Sequence, residues 1–258
     1  AQENGRTARV HIKIDTGLGR IGVEKGEQLE ELLDGILPLK GLEIEGVFTH
    51  FGEAEVTDPE FTEIQISRFE EALGQIRARG IQPRYIHATN TPSTVRFKKA
   101  HYNMIRTGLL WLGYDPCLDE DNRLGLETVL EWKTFLTNKK YVLSGRSMGY
   151  WRSFTAKRDT VVGIACFGYG DGYLEDLGKK GGYVLIHGKR APIISVCMDQ
   201  TFLDITDIPE AEIGDTVTLI GHDGSEKIDA FDMEKLTENS YVVYLCNISE
   251  RPVRIYRD

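Results

Sequence analysis

Two periodicities alternate over the first hundred residues, and they constrain the fold of this chain more than any other feature. Val10, Ile12 and Ile14 alternate with other residues, so residues 10–15 predict a strand. Leu29, Leu32, Leu33 and Ile36 then recur at i, i+3, i+4 and i+7, the stripe of an amphipathic helix. "LEIEGVF" (42–48) predicts the next strand. Phe61, Ile64, Phe69, Ala72, Leu73 and Ile76 mark a long helix closed by Gly80 and then Pro83. "RYIHA" (84–88) predicts a third strand, a short helix follows over roughly Ser93 to Lys99, and "YNMIRTGLLWLGY" (102–114) is expected as a fourth strand or strand-like segment. Strands and helices that alternate through short connections build parallel β/α units.

From about residue 126 the pattern changes. "ETVLEWKTFLT", "TVVGIACFGY", "GYVLIHG", "APIISVCMDQTFLDI" and "DTVTLIG" read as strands separated by turns, with one helix expected near residues 229–238. His187-Gly188-Lys189-Arg190 fits a hairpin connection between two of them. The expected organisation is therefore a β/α part, 1–123, and a mainly β part, 124–258, with the boundary near 120–126. At 41% hydrophobic and 28% charged residues, the 258-residue chain supports packed cores rather than disorder. A net charge of −9 argues against a nucleic-acid surface. No apolar run approaches the roughly 20 residues of a membrane helix, and no signal peptide is visible. Cys117, Cys166, Cys197 and Cys246 are far apart without a C-x-x-C, so they are expected as buried, reduced thiols of a cytoplasmic protein.

Gly17-Leu18-Gly19-Arg20-Ile21-Gly22 fits G-x-G-x-x-G. In a dinucleotide fold the helix begins within that motif, so that its N-terminus meets the pyrophosphate. Here the helical pattern starts only near Glu27, and Asp15 and Arg20 lie beside or within the turn. The stretch reads better as a strand-end loop that presents Arg20. Parallel β/α units carry function at the C-terminal ends of their strands. Those ends offer Arg20, His50, Asn90 with Thr91, and Arg106 with Thr107 and Gly108. Two cations, an imidazole and small hydroxyls on one face suit an anionic ligand bearing a phosphate and a carboxylate.

"HIKIDTGLGRIGV", "GVFTHF", "HATNT", "MIRTG", "GYGDGY" and "VCMDQ" occur in this order, and together they resemble the successive signatures of the alanine racemases. These are pyridoxal-phosphate enzymes of the barrel fold type, and the family includes the vancomycin-resistance serine racemases. The resemblance runs from about residue 10 to the end. It implies the C-terminal part of a (β/α)8 barrel followed by a β domain, with pyridoxal 5'-phosphate as cofactor and no metal. The implied activity is L- to D-alanine interconversion by two bases, with serine as the alternative substrate, in a homodimer with shared active sites. It also implies roles for single residues. Tyr150 becomes the catalytic tyrosine, while His50 and Arg106 lie beneath and beside the cofactor ring. Thr91 holds the phosphate with Asn90 beside it, and Gly108 and Tyr241 complete the cofactor set. Arg20 and Met198 approach the substrate carboxylate, and Lys13 matches a lysine that is carbamylated in several members and props Arg20. Three positions depart from the family pattern: "SMGYW" stands where Ser-Tyr-Gly is usual, Val242 where Glu is usual, and Trp111 where a smaller or different residue is usual.

The chemistry implied is coherent. Racemisation removes an α-proton from one face and returns one on the other, which calls for two bases. A free tyrosine titrates at about pH 10, so a tyrosine base working at neutral pH needs cationic neighbours. An arginine against the pyridine nitrogen has no acceptor, which leaves that nitrogen unprotonated and the electron sink weakened. A barrel needs eight strands, and this chain is expected to supply about four. No lysine within 1–258 matches the one that forms the Schiff base with the cofactor. The chain alone is therefore expected to bind the cofactor poorly and to need a preceding segment of roughly 100–130 residues. The contrasting expectation is a non-catalytic ligand-binding or assembly module that keeps the fold, and Tyr150 discriminates between the two.

Overall fold

A computed structural model describes residues 1–56, 58–116 and 124–257. They form two compact units, Ala1–Val129 and Leu130–Asp258. The expected boundary near 120–126 falls largely outside the described residues, as does Cys117.

In the first unit three parallel strands, β1 (Ala8–Lys13), β2 (Leu42–Phe48) and β3 (Tyr85–His87), lie in that order. Helices α1 (Glu27–Ile36) and α2 (Glu60–Ala78) connect them. Ile12, Ile14, Val47 and Ala88 are buried in one cluster with Leu29 and Leu33 of α1 and with Phe69, Ala72, Leu73 and Ile76 of α2. Because side chains alternate along a strand, the neighbouring residues face the other way. Cross-strand register places Lys13, Phe48 and His87 in one row of that second face and His11, Gly46 and Tyr85 in another. α3 (Thr91–Arg96) follows β3 directly.

The fourth strand expected over 102–114 does not form; the segment turns and ends in a 3-10 helix, Leu109–Leu112. The reason lies at Asn103. Its side-chain Oδ1 accepts from Ile86 N (2.8 Å) and its Nδ2 donates to Arg84 O (2.8 Å), so a side chain satisfies the edge of β3 where a further strand would pair. The run Leu109-Leu110-Trp111-Leu112 has apolar residues without alternation, and Trp111 is 77% exposed.

The second unit is a seven-stranded antiparallel sheet. Its strands are β4 (Trp132–Val142), β7 (Thr160–Ala165), β8 (Tyr183–Ile186), β9 (Lys189–Val196), β10 (Thr201–Asp204), β11 (Thr216–Asp223) and β12 (Glu226–Ile228). The order is β12-β11-β4-β7-β10-β9-β8, and β11 also pairs with β8 through Thr218 and Leu185, so the sheet closes on itself. Closure removes an exposed edge. Leu136, Val162, Val184, Leu185, Leu203, Val217 and Leu219 are buried in this unit. His187 and Gly188, both at positive φ (52° and 69°), make the two-residue turn between β8 and β9. A small hairpin, β5 (Ser147–Met148) with β6 (Phe154–Thr155), stands apart from this sheet. Helices α4 (Asp176–Lys179), α5 (Ala230–Leu236) and α6 (Tyr241–Asn247) complete the unit.

The expectation of buried thiols is corrected. Cys166 and Cys246 are exposed and Cys197 is half-buried. Cys166 follows the last residue of β7, where alternation no longer holds it inward, and Cys246 lies off the face through which α6 buries Tyr241 and Tyr244.

Candidate active site

The centre of the first unit's polar face is Arg106. Its guanidinium packs over the Phe48 ring, with Cζ 5.6 Å from the ring centroid. Nη1 donates to His87 Nδ1 (2.7 Å), and Nη2 donates to Thr49 O (2.9 Å), His50 Nδ1 (3.2 Å) and Ala88 O (3.3 Å). Two imidazoles and two strand-end carbonyls thus fix one side of the group. Nε–H and one Nη1 hydrogen have no hydrogen-bond acceptor among the described residues. Burial and the neighbouring Arg106 depress both histidines; His87 falls to about 4, and His50 is lowered by burial, Arg106, Arg20 and Lys13. Both imidazoles are therefore neutral acceptors at pH 7.

The strand ends that carry these groups are locked by a buried polar network. Thr16 Oγ1 and Thr49 Oγ1 lie 2.8 Å apart, and Gln65 Nε2 donates to Thr16 Oγ1 (3.0 Å) while Gln65 Oε1 accepts from Gly52 N (2.9 Å). The glycine-rich loop then folds back along β1. Val23 N donates to Lys13 O (3.1 Å) and Asp15 N to Val23 O (2.8 Å). Gly22, at φ 114°, lies so close that an added Cβ would meet Lys13 O at 2.7 Å. Asp15 Oδ1 accepts from Gly17 N (2.9 Å) and Gly19 N (3.1 Å). Burial opposes the Asp15 carboxylate, but these amides outweigh it and its pKa falls. The amides a pyrophosphate would need are thus already taken, and the helix starts at Glu27. The loop instead keeps Arg20 within electrostatic range of Lys13 and His50. Lys13 is half-buried, donates from Nζ to Ile14 O (2.9 Å), and has its pKa lowered by burial, with Arg106 and Arg20 adding to the effect against Asp15.

Thr91, buried at the start of α3, accepts at Oγ1 from Gly108 N (3.1 Å) and Leu109 N (3.3 Å). Two accepted bonds leave the hydroxyl hydrogen to donate. Asn90 caps α3, its Oδ1 accepting from Ser93 N (3.2 Å) and from Ser93 Oγ (2.6 Å), so its oxygen is occupied in local structure. Thr89 Oγ1, next to it, is buried with no hydrogen-bond partner among the described residues. Phosphate-bearing groups suit such a corner.

Tyr150, Met198 and Tyr241 belong to the second unit. Tyr150 follows β5 and is 70% exposed; Gly149 (φ 80°), Trp151 (φ 58°) and Arg152 (φ 52°) around it are all left-handed. Met198, 57% exposed, sits in the turn after β9, where Gly170 N donates to its carbonyl (2.8 Å). Tyr241 is different: its ring is buried, 4.4 Å from that of Phe231, and its N–H donates to Glu234 Oε1 (3.1 Å).

The structure thus gathers Lys13, Arg20, His50, Thr91, Arg106 and Gly108 in one unit, and it adds two residues that the strand-end reading missed, His11 and His87. Their signal was parity: each has the same strand parity as a row that includes Lys13 or Phe48.

A segment of β/α barrel followed by a closed β unit, with an arginine-centred polar face on the barrel segment, defines the class. The family models for the alanine racemase N-terminal and C-terminal domains match residues 1–116 and 129–256. An alanine racemase of Halothermothrix orenii is 36% identical over 251 residues, covering 97% of this chain and 66% of that protein. The crystal structure of a Bacillus anthracis alanine racemase with bound L-Ala-P superposes with a TM-score of 0.88 at 31% identity, covering 94% of this chain and 63% of that one. A histidine racemase of Leuconostoc mesenteroides superposes with a TM-score of 0.88 at 26% identity, covering 98% and 68%. The chain belongs to the alanine racemase family, and it spans about two thirds of the length of these relatives.

Proposed function

We propose that this chain provides the cofactor-ring and substrate-binding side of a pyridoxal-phosphate-dependent alanine racemase, in residues 1–123, and a tyrosine base, in residues 124–258. The observation that carries this reading is Arg106, held from behind by neutral acceptors with donors left over in front. Pyridoxal phosphate, when bound, supplies the electron sink that acidifies the substrate α-C–H. Arg106 keeps its proton and only donates, so it would hold the ring nitrogen through that atom's lone pair without protonating it. The Thr91 hydroxyl would donate to a phosphate oxygen, with Asn90, Gly108 and Tyr241 as its supporting set, and His50 would lie against the ring.

Arg20 and the backbone at Met198 receive the substrate carboxylate. The lowered pKa of Lys13 favours a neutral amine, which adds carbon dioxide to give a carbamate and releases one proton. That turns a cation beside Arg20 into an anion that supports it. Tyr150 takes the α-proton from one face as a phenolate and returns it as a phenol; the opposite face needs a second base. The exposure of Tyr150 and Met198 fits a homodimer in which each serves the partner's site. No helix among the described residues is long and apolar enough to cross a membrane, in keeping with a cytoplasmic enzyme. Alanine is the substrate this reading names. Because the Leuconostoc neighbour is a histidine racemase at the same TM-score, turnover of alanine is to be compared with that of serine and histidine.

The test is α-proton exchange into D2O from each alanine enantiomer, run with residues 1–258 joined to a segment that supplies the Schiff-base lysine. Tyr150→Phe should lose exchange from one enantiomer far more than from the other. Equal, small losses in both directions remove Tyr150 from the mechanism.

A further inference from the structure

We propose that His87 and His11 are positioning residues that hold Arg106 through a chain of two neutral imidazoles, and that Gly46 is the residue that makes room for the chain. This deepens the racemase reading, on which the purpose of holding Arg106 rests.

The tautomers follow from donors alone. A guanidinium has no acceptor, so His87 Nδ1, 2.7 Å from Arg106 Nη1, must be bare and accepting. A neutral His87 then carries its proton on Nε2, which lies 2.8 Å from His11 Nδ1. That nitrogen must accept in turn, which puts the His11 proton on Nε2. His11 Nε2 is 3.8 Å from Glu45 Oε2, beyond a hydrogen bond, and the other Glu45 oxygen is paired with Arg9 at 3.0 Å. Among the described residues, no carboxylate therefore closes the chain at hydrogen-bond distance. The groups facing it are Arg106, Lys13 and His50 on one side and Arg9, Glu45 and Arg84, the last over the Tyr85 ring, on the other. A neutral acceptor orients a guanidinium without cancelling its charge, which a carboxylate in the same place would do. The burial-depressed His87 agrees with this assignment.

The rings are built in rather than adventitious. His87 stacks on Phe48 (4.9 Å, 14°) and His11 on Tyr85 (5.9 Å, 25°). A register shift between Val10 and His11 sets His11 opposite Gly46 instead of Glu45. A Cβ on Gly46 would sit 2.6–2.8 Å from three atoms of the His11 ring. Gly46 has no positive φ to explain it. Glycine inside a strand weakens the strand and often marks a close approach, and here the His11 ring is what approaches.

The test is 15N NMR of the histidine and arginine side chains of this chain. His87 should be a neutral Nε2–H tautomer at pH 6 with that hydrogen bonded to His11 Nδ1, and the Arg106 guanidinium should show a protected hydrogen. His87→Phe should speed exchange of that hydrogen about tenfold or more, the scale of a lost bond to a charged group. His87→Asn, which offers an amide oxygen, should restore most of the protection. Gly46→Ala should displace His11 and shift the His87 Nε2 signal. A protonated or Nδ1–H His87 at pH 6, or Arg106 exchange unchanged in folded His87→Phe, overturns the proposal. Should His87→Phe not fold, the wild-type tautomers and Gly46→Ala decide. None of these readouts uses cofactor or turnover, so failure of the racemase reading and failure of the imidazole chain are separable.

Discussion

At the scale of single residues, the polar face is governed by what Arg106 refuses to do: it never accepts a hydrogen bond, so every nitrogen that meets it must be unprotonated. This couples folding to pH. An ordinary imidazole titrates near 6.5, whereas His87 in the folded protein is held at about 4 by burial beside Arg106 and His11. Between those values the unfolded chain binds a proton that the folded chain does not. Stability is therefore unaffected by this group above about pH 6.5 and declines as the pH falls toward 4. Urea midpoints measured from pH 4.5 to 7 should show that slope, and His87→Phe should flatten it. An unchanged slope would locate the titration elsewhere, with His50, shifted the same way, the next group to replace. His50 and Thr91 were legible in the sequence as positions that follow β2 and β3, whereas Arg106 was placed at the end of a strand that does not form. His11 and His87 were not legible, since a polar residue of one strand parity reads equally as a solvent-facing position until three strands are laid in register.

At the scale of elements, three strands and the two long helices followed from periodicity, because each buries one stripe against the same cluster. The segment 102–114 misled because apolar content was taken for a strand, while Asn103 had already satisfied the β3 edge with its side chain. Asn103→Ala leaves Ile86 N and Arg84 O without these partners. It should destabilise the first unit by about 0.5–1.5 kcal/mol, the net worth of a typical hydrogen bond at an exposed position, measured by urea unfolding. A change within experimental scatter would mean that water replaces the side chain at no cost.

At the scale of the whole molecule, the shift from β/α to β patterning was visible in composition, but the closure of the second unit through β11 and β8 was not. Those strands are distant in sequence, and nothing local announces that they pair. The proposed sharing of sites in a dimer makes a prediction that no single chain can satisfy. Tyr150→Phe chains mixed with Arg106→Ala chains should regain activity that neither has alone, up to about a quarter of wild type if mixing is random and one intact site per heterodimer works. No recovery at any ratio would mean that each site draws on one chain only.

The carboxylate of Asp15 also makes the glycine loop a receptor that carries its own counter-ion. Emptied by Asp15→Ala, the amides of Gly17 and Gly19 would face solvent as a vacant seat for a small anion. The melting temperature of the variant should therefore climb more steeply with added sulfate or chloride than that of the parent. Equal salt responses in the two proteins would show that the loop reorganises once its internal guest is gone.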